Sequence, residues 1–65
     1  MHRMKDRITA YLRIVPSACA NMIADDLHLE RPAVQKALHQ MEDDGTVMMS
    51  LGWYRLSEVA KLRLE

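Results

Sequence analysis

Residues 20–41, Ala20-Asn21-Met22-Ile23-Ala24-Asp25-Asp26-Leu27-His28-Leu29-Glu30-Arg31-Pro32-Ala33-Val34-Gln35-Lys36-Ala37-Leu38-His39-Gln40-Met41, hold two apolar stripes separated by a short turn. Ile23 and Leu27 stand four apart with Ala20 and Met22 beside them, while Asp25 and Asp26 fall outside the stripe. That spacing predicts a helix over about 18–27, with Ser17 available as its cap. His28-Leu29-Glu30 interrupts the pattern. Pro32 then fits a first helical turn, where its missing N–H removes no bond. Val34, Leu38 and Met41 form the second stripe, Ala33 and Ala37 allow close approach, and Gly45 sits where a C-terminal stop belongs. A helix over about 31–44 is expected.

On the N-terminal side, Met4, Ile8, Leu12 and Val15 recur at helical spacing and predict a helix from about Arg3 to Val15, ended by Pro16. On the C-terminal side the period changes to two. Thr46-Val47-Met48-Met49-Ser50-Leu51 alternates, with Val47, Met49 and Leu51 on one side. Trp53-Tyr54-Arg55-Leu56 follows Gly52 and is rich in strand formers, so the pair reads as a hairpin turning near Ser50-Leu51-Gly52. Tyr54 and Leu56 are expected inward, Trp53 and Arg55 outward. Ser57 is read as the cap of a short last helix, Glu58 to about Leu64. The expected fold is mainly α with a small β-hairpin, one domain over residues 1–65, without repeats or an internal linker. Its core is expected to hold Ile8, Leu12, Ile23, Leu27, Val34, Leu38, Met41, Val47, Tyr54 and Leu56.

Composition agrees with a folded domain. The 65 residues are 49% apolar and 28% charged with two glycines and two prolines, which excludes a disordered, collagenous or low-complexity chain. No apolar stretch exceeds three residues, whereas a membrane span needs about 20. The charged start, Met1-His2-Arg3-Met4-Lys5-Asp6-Arg7, has no apolar signal core behind it. A single cysteine forms no internal disulfide, so the reducing cytoplasm is the expected compartment. Net charge is zero but segregated: Arg3, Lys5, Arg7 and Arg13 precede Asp25, Asp26 and Glu30, and Arg31 and Lys36 precede Glu42, Asp43 and Asp44. Segregation of this kind builds a basic and an acidic face when the fold gathers each block.

The order of elements and the residues at their joints resemble the winged helix-turn-helix family. The carrying features are Ile23-Ala24 with Leu27, the turn His28-Leu29-Glu30, and the stripe Val34, Leu38 and Met41. Glu42-Asp43-Asp44-Gly45-Thr46-Val47 matches the helix end and strand entry, and Tyr54-Arg55-Leu56-Ser57 the exit of the wing. The resemblance covers roughly residues 7–57. In length and layout the chain is similar to the short winged-helix regulators of enterobacterial fimbrial operons, plasmids and phages. It lacks the Pro-Pro-x-Trp wing of the relatives that bind left-handed nucleic acid, and the wing cysteine cluster of the small relatives associated with iron transport.

The resemblance implies a small transcriptional regulator that binds double-stranded DNA sequence-specifically, with the third helix in the major groove. If Val34, Leu38 and Met41 face the core, Arg31, Gln35, Lys36 and His39 project from the other side. Gln pairs with adenine, Arg and Lys with guanine or phosphate, and His with either. No carboxylate interrupts that helix between Arg31 and Gln40. Arg55 and Trp53 in the wing join the candidate contacts, Trp53 with a partner subunit or its own domain as the alternative, and Arg3, Lys5 and Arg7 are read either as phosphate contacts or as solvated charges.

Catalysis is not expected. No Cys-x-x-Cys or His-x-x-x-His pair supplies adjacent metal ligands, and two glycines build no phosphate loop. Neither a cofactor, a metal nor a small-molecule substrate is implied. The competing expectation is a winged helix that docks on a protein without touching DNA: net charge is zero, and Met48 stands on the outer side of its strand. A single recognition helix reads too few bases to select a site, so a homodimer, or recruitment to a larger regulatory protein, is expected. The amphipathic segment from Ser57 to Glu65 is the expected pairing surface, with Tyr11 and Ile14 of the first helix as its counterpart.

Overall fold

A computed structural model describes residues 4–58. Helices α1 (Met4–Ile14), α2 (Ala20–Leu27) and α3 (Arg31–Asp43) precede strands β1 (Val47–Ser50) and β2 (Trp53–Leu56). The strands form a two-stranded antiparallel sheet in which Val47 pairs with Leu56, Met48 with Arg55, Met49 with Tyr54 and Ser50 with Trp53. The core lies where the three helices meet the root of this hairpin. Ile8, Leu12, Ile23, Val34, Leu38, Met41, Val47, Tyr54 and Leu56 are all buried there, joined by Ala18, Ala20, Ala24 and Ala37. Leu27 is only partly buried, because it closes the last turn of α2 at the edge of the cluster.

Each joint has a local cause. At the end of α2, His28 adopts a left-handed conformation with φ 57°. Its N–H reaches the Asp25 carbonyl at 3.4 Å, and the Leu29 N–H reaches that of Ala24 at 2.9 Å. This is a Schellman closure built on histidine in place of glycine, and Leu29 folds its side chain back onto the core. The chain then needs only Leu29 and Glu30 before α3 starts, with Pro32 in its first turn. At the other end of α3 the same motif recurs on Gly45, φ 84°. Gly45 N–H bonds Glu42 O at 3.2 Å and Thr46 N–H bonds Met41 O at 2.8 Å. Asp44 completes the turn, its Oδ1 accepting from Thr46 N–H at 3.0 Å and from Thr46 Oγ1 at 2.6 Å. Those two bonds hold the Asp44 carboxyl below the usual carboxylate range.

The structure also corrects the expected cap and bounds of the helices. Ser17 does not cap α2; Cys19 occupies the N-cap position, and no side chain bonds there. The helix starts late because Ala18 is taken by the sheet, exchanging two backbone hydrogen bonds with Tyr54, at 3.0 and 2.8 Å. The side shared by Val47 and Met49 is covered only at its root, as the expected core, with Val47 alone of the two, implies. Val47 is buried, Met49 is 44% exposed and Leu51 is 95% exposed, since the hairpin extends past the body that would cover it. Leu51 is moreover a turn residue: with Gly52 it forms a two-residue loop in which both φ angles are positive, 53° and 85°. Helix α1 ends at Ile14, one residue early, although Val15 N–H still bonds Tyr11 O at 2.8 Å. The expected last helix lies outside the described residues beyond Glu58, as does Arg3. Among the described residues no helix is long and apolar enough to cross a membrane.

Candidate nucleic-acid interface

Helix α3 turns Val34, Ala37, Leu38 and Met41 into the core. At about 100° per residue this forces Gln35, Lys36 and His39 onto the opposite half of the helix, with Arg31 at its N-terminal flank. All four are exposed. Among the described residues no hydrogen bond or ion pair engages their side chains. From Arg31 to Met41 the helix carries no carboxylate; the acidic residues Glu42, Asp43 and Asp44 are confined to its C-terminal end. The result is a polar, cation-bearing surface whose donors and acceptors are unspent.

Two basic residues of α1 have partners within the fold. Lys5 Nζ lies 4.0 Å from Asp44 Oδ2, tying the start of α1 to the end of α3. Arg7 Nη2 donates to the Leu27 carbonyl at 2.8 Å, satisfying the end of α2. Tyr11 Oη donates to Asp26 Oδ2 at 2.6 Å, and that bond, followed by desolvation and the aspartate charge, pushes its pKa up to about 12. Lys5 and Arg7, also phosphate candidates, thus link helices within the fold.

The six candidates fall into two groups. Arg31, Gln35, Lys36 and His39 share α3, whereas Trp53 and Arg55 lie on the outer face of the hairpin, paired with Ser50 and Met48. Trp53 is 47% exposed. Around it the hairpin is uncharged from Gly45 to Tyr54, so Arg55 is its one cation. Gln40, outside these six, is exposed one turn after Lys36. With Met4, Lys5, Ala33, Lys36 and Ala37 it lines an open groove of about 350 Å³ between α1 and α3. The Lys36-to-Gln40 spacing of four carried that signal.

Among the described residues no group of three or more His, Cys, Asp or Glu side chains is placed to hold a metal ion. No buried side-chain nitrogen or oxygen there lacks a hydrogen bond. The two displaced titrations, of Tyr11 and Asp44, are both explained by bonds that join elements of the fold. Comparison of the chain with family models, curated proteins and solved structures gives no match.

Proposed function

We propose that this chain binds double-stranded DNA in the manner of a small winged-helix transcriptional regulator, with α3 in the major groove. The observation that carries the reading is the outer face of α3, where Arg31, Gln35, Lys36 and His39 stand exposed and unengaged on a segment without carboxylates. Three helices followed by a two-stranded hairpin form a topology compatible with the winged helix. The tight closure at His28 sets α3 directly after α2, as that mode of docking needs. Gln35 and His39, one turn apart, are the base readers in this proposal; Arg31, Lys36 and Arg55 serve as cationic contacts. Trp53 packs its ring against the sugar-phosphate edge beside Arg55.

The alternative is a docking module that never touches DNA, favoured by the uncharged hairpin and its exposed methionines. Salt separates the two. A gel-shift titration on mixed genomic fragments at low ionic strength is expected to show binding that weakens steeply as salt rises, because phosphate contacts release counterions. Lys36→Glu is expected to abolish the shift while leaving the far-ultraviolet circular dichroism spectrum intact. An absence of binding at every salt concentration would refute the proposal.

A further inference from the structure

Ile14, at the end of α1, is 82% exposed, the one large apolar side chain outside the hairpin so presented among the described residues. It stands on the rim of an open, mainly apolar groove of about 410 Å³ between α1 and α2, lined by Asp6, Arg7, Ala10, Tyr11, Ile14 and Leu27. Two bonds hold the walls of this groove together, from Arg7 to the Leu27 carbonyl at 2.8 Å and from Tyr11 to Asp26 at 2.6 Å. The hollow is thus fixed by the packing of the two helices, and Ala10 is the small side chain that leaves room over its floor.

Helical geometry orders the outer residues of α1 across the groove. At about 100° per residue, Tyr11 and Arg7 lie toward α2, Ile14 and Ala10 come next, and Asp6 and Arg13 stand on the far side. The flank beyond Tyr11 is acidic, because Asp25 and Asp26 belong to the last turn of α2. Ala10, Arg13, Asp25 and Asp26 are all exposed. One surface therefore carries a projection, a hollow one turn before it, and opposite charges on its two flanks. We infer that this surface pairs with the same surface of a second copy of the chain, α1 lying antiparallel on α1 about a two-fold axis at the level of Leu12.

Shape and charge select a second copy as the occupant. A two-fold contact must be self-complementary, and a projection one turn from a hollow on the same helix meets that condition when the two helices run antiparallel. With the axis at the level of Leu12, Ile14 of each copy comes level with Ala10 of the other and fills the space between Tyr11 and Leu27. Arg13 stands on the side of α1 away from its own α2, so the same rotation turns it toward α2 of the second copy. There it comes level with Tyr11, whose hydroxyl is bonded to Asp26. The basic flank of each copy thus meets the acidic flank of the other, and a net charge of zero leaves no general repulsion between copies. A polyanion would meet Asp25 and Asp26 at this groove, and a polycation would meet Arg7 and Arg13. The surface uses none of the six candidates on α3 and the hairpin, so it stands or falls apart from DNA binding.

The test is made on the full chain without DNA. In sedimentation equilibrium the wild type is expected to dimerise, and Ile14→Glu to weaken dimerisation by about tenfold or more, since it sets a carboxylate in each apolar hollow. Ile14 lies outside the core, so the substitution spares the fold, which unchanged circular dichroism certifies for each variant. Ile14→Leu is expected to keep the dimer. Arg13→Asp sets like charges beside Asp26 and is expected to weaken it, and Arg13→Asp combined with Asp26→Arg to recover affinity. That recovery is a readout a merely destabilised monomer would not give. A wild type monomeric up to about 1 mM, or a dimer of undiminished affinity in folded Ile14→Glu, would overturn the inference. In the first case, a melting temperature lowered by Ile14→Glu would show the hollow filled from within the same chain instead.

Discussion

Tyr11 in α1 donates its phenolic proton to Asp26 in α2 across 2.6 Å, the shortest link between those helices among the bonds described above. The bond exists only while the phenol is neutral. Its pKa is accordingly raised from 10.0 to about 12 in the folded chain, first by the hydrogen bond and then by desolvation and the aspartate charge. The folded state holds this proton more tightly than the unfolded one. The stabilisation is thus complete below pH 10 and is lost as pH rises through 12. Tyr11→Phe is expected to cost about 0.5–1.5 kcal/mol at neutral pH, with the difference from wild type shrinking over that alkaline window. Paired melting curves against pH, with an ultraviolet titration of the phenol, measure it.

Leu38 is fully buried between α3 and the other two helices, in a domain too small to repack around a hole. Leu38→Ala is expected to destabilise by about 2–5 kcal/mol, a large share of what such a domain possesses. An unchanged denaturation midpoint would show that this stripe does not hold the core together.

Leu51 sits at φ 53°, a conformation that leucine resists and asparagine tolerates. Asn-Gly is the preferred pair for a two-residue loop of this kind. Leu51→Asn is expected to raise stability by about 0.5–1 kcal/mol by relieving that strain, read as a higher urea midpoint at unchanged slope.

Groove reading by α3 predicts a difference in kind between two substitutions. Gln35→Ala is expected to relax preference at one base pair by about 1–3 kcal/mol, whereas Arg55→Ala weakens every fragment alike and lowers the salt slope by about one. Affinities unaffected by both substitutions would remove the third helix and the hairpin from the interface together.

The helices were legible because each carries an apolar stripe at its own period, and Pro32 and Gly45 mark the ends of the third. The hairpin was legible from its alternation and from Gly52, though not that its loop is Leu51-Gly52 alone. Alternation, however, names a side of a strand and not whether anything lies against it. Val47 and Met49 share a face, yet only Val47 has the body beneath it. The Ala18–Tyr54 bridge has no sequence signal at all, since one residue of pairing has no period, and its small neighbours suit a helix equally well. His28 likewise reads as an ordinary turn residue until its positive φ shows that it closes α2 as glycine usually does. On the candidate interface, the helical stripe located the outward residues of α3 by elimination. Lys5 and Arg7 had no such constraint, and their binding partners on α3 and α2 emerge only from the packing of α1.

The Ala18–Tyr54 bridge divides the hairpin by how it opens. Below it, the Tyr54 amide is bonded to a residue set between α1 and α2, so its release requires disruption of the body itself. Above it, Ser50 and Trp53 are bonded only to each other, beside exposed side chains. In native-state hydrogen exchange the Tyr54 amide should therefore report the global unfolding free energy, while those of Ser50 and Trp53 exchange through fraying of the tip. The hairpin behaves as two regions of one ribbon: a root that melts with the helices, and a tip that breathes while they stay folded.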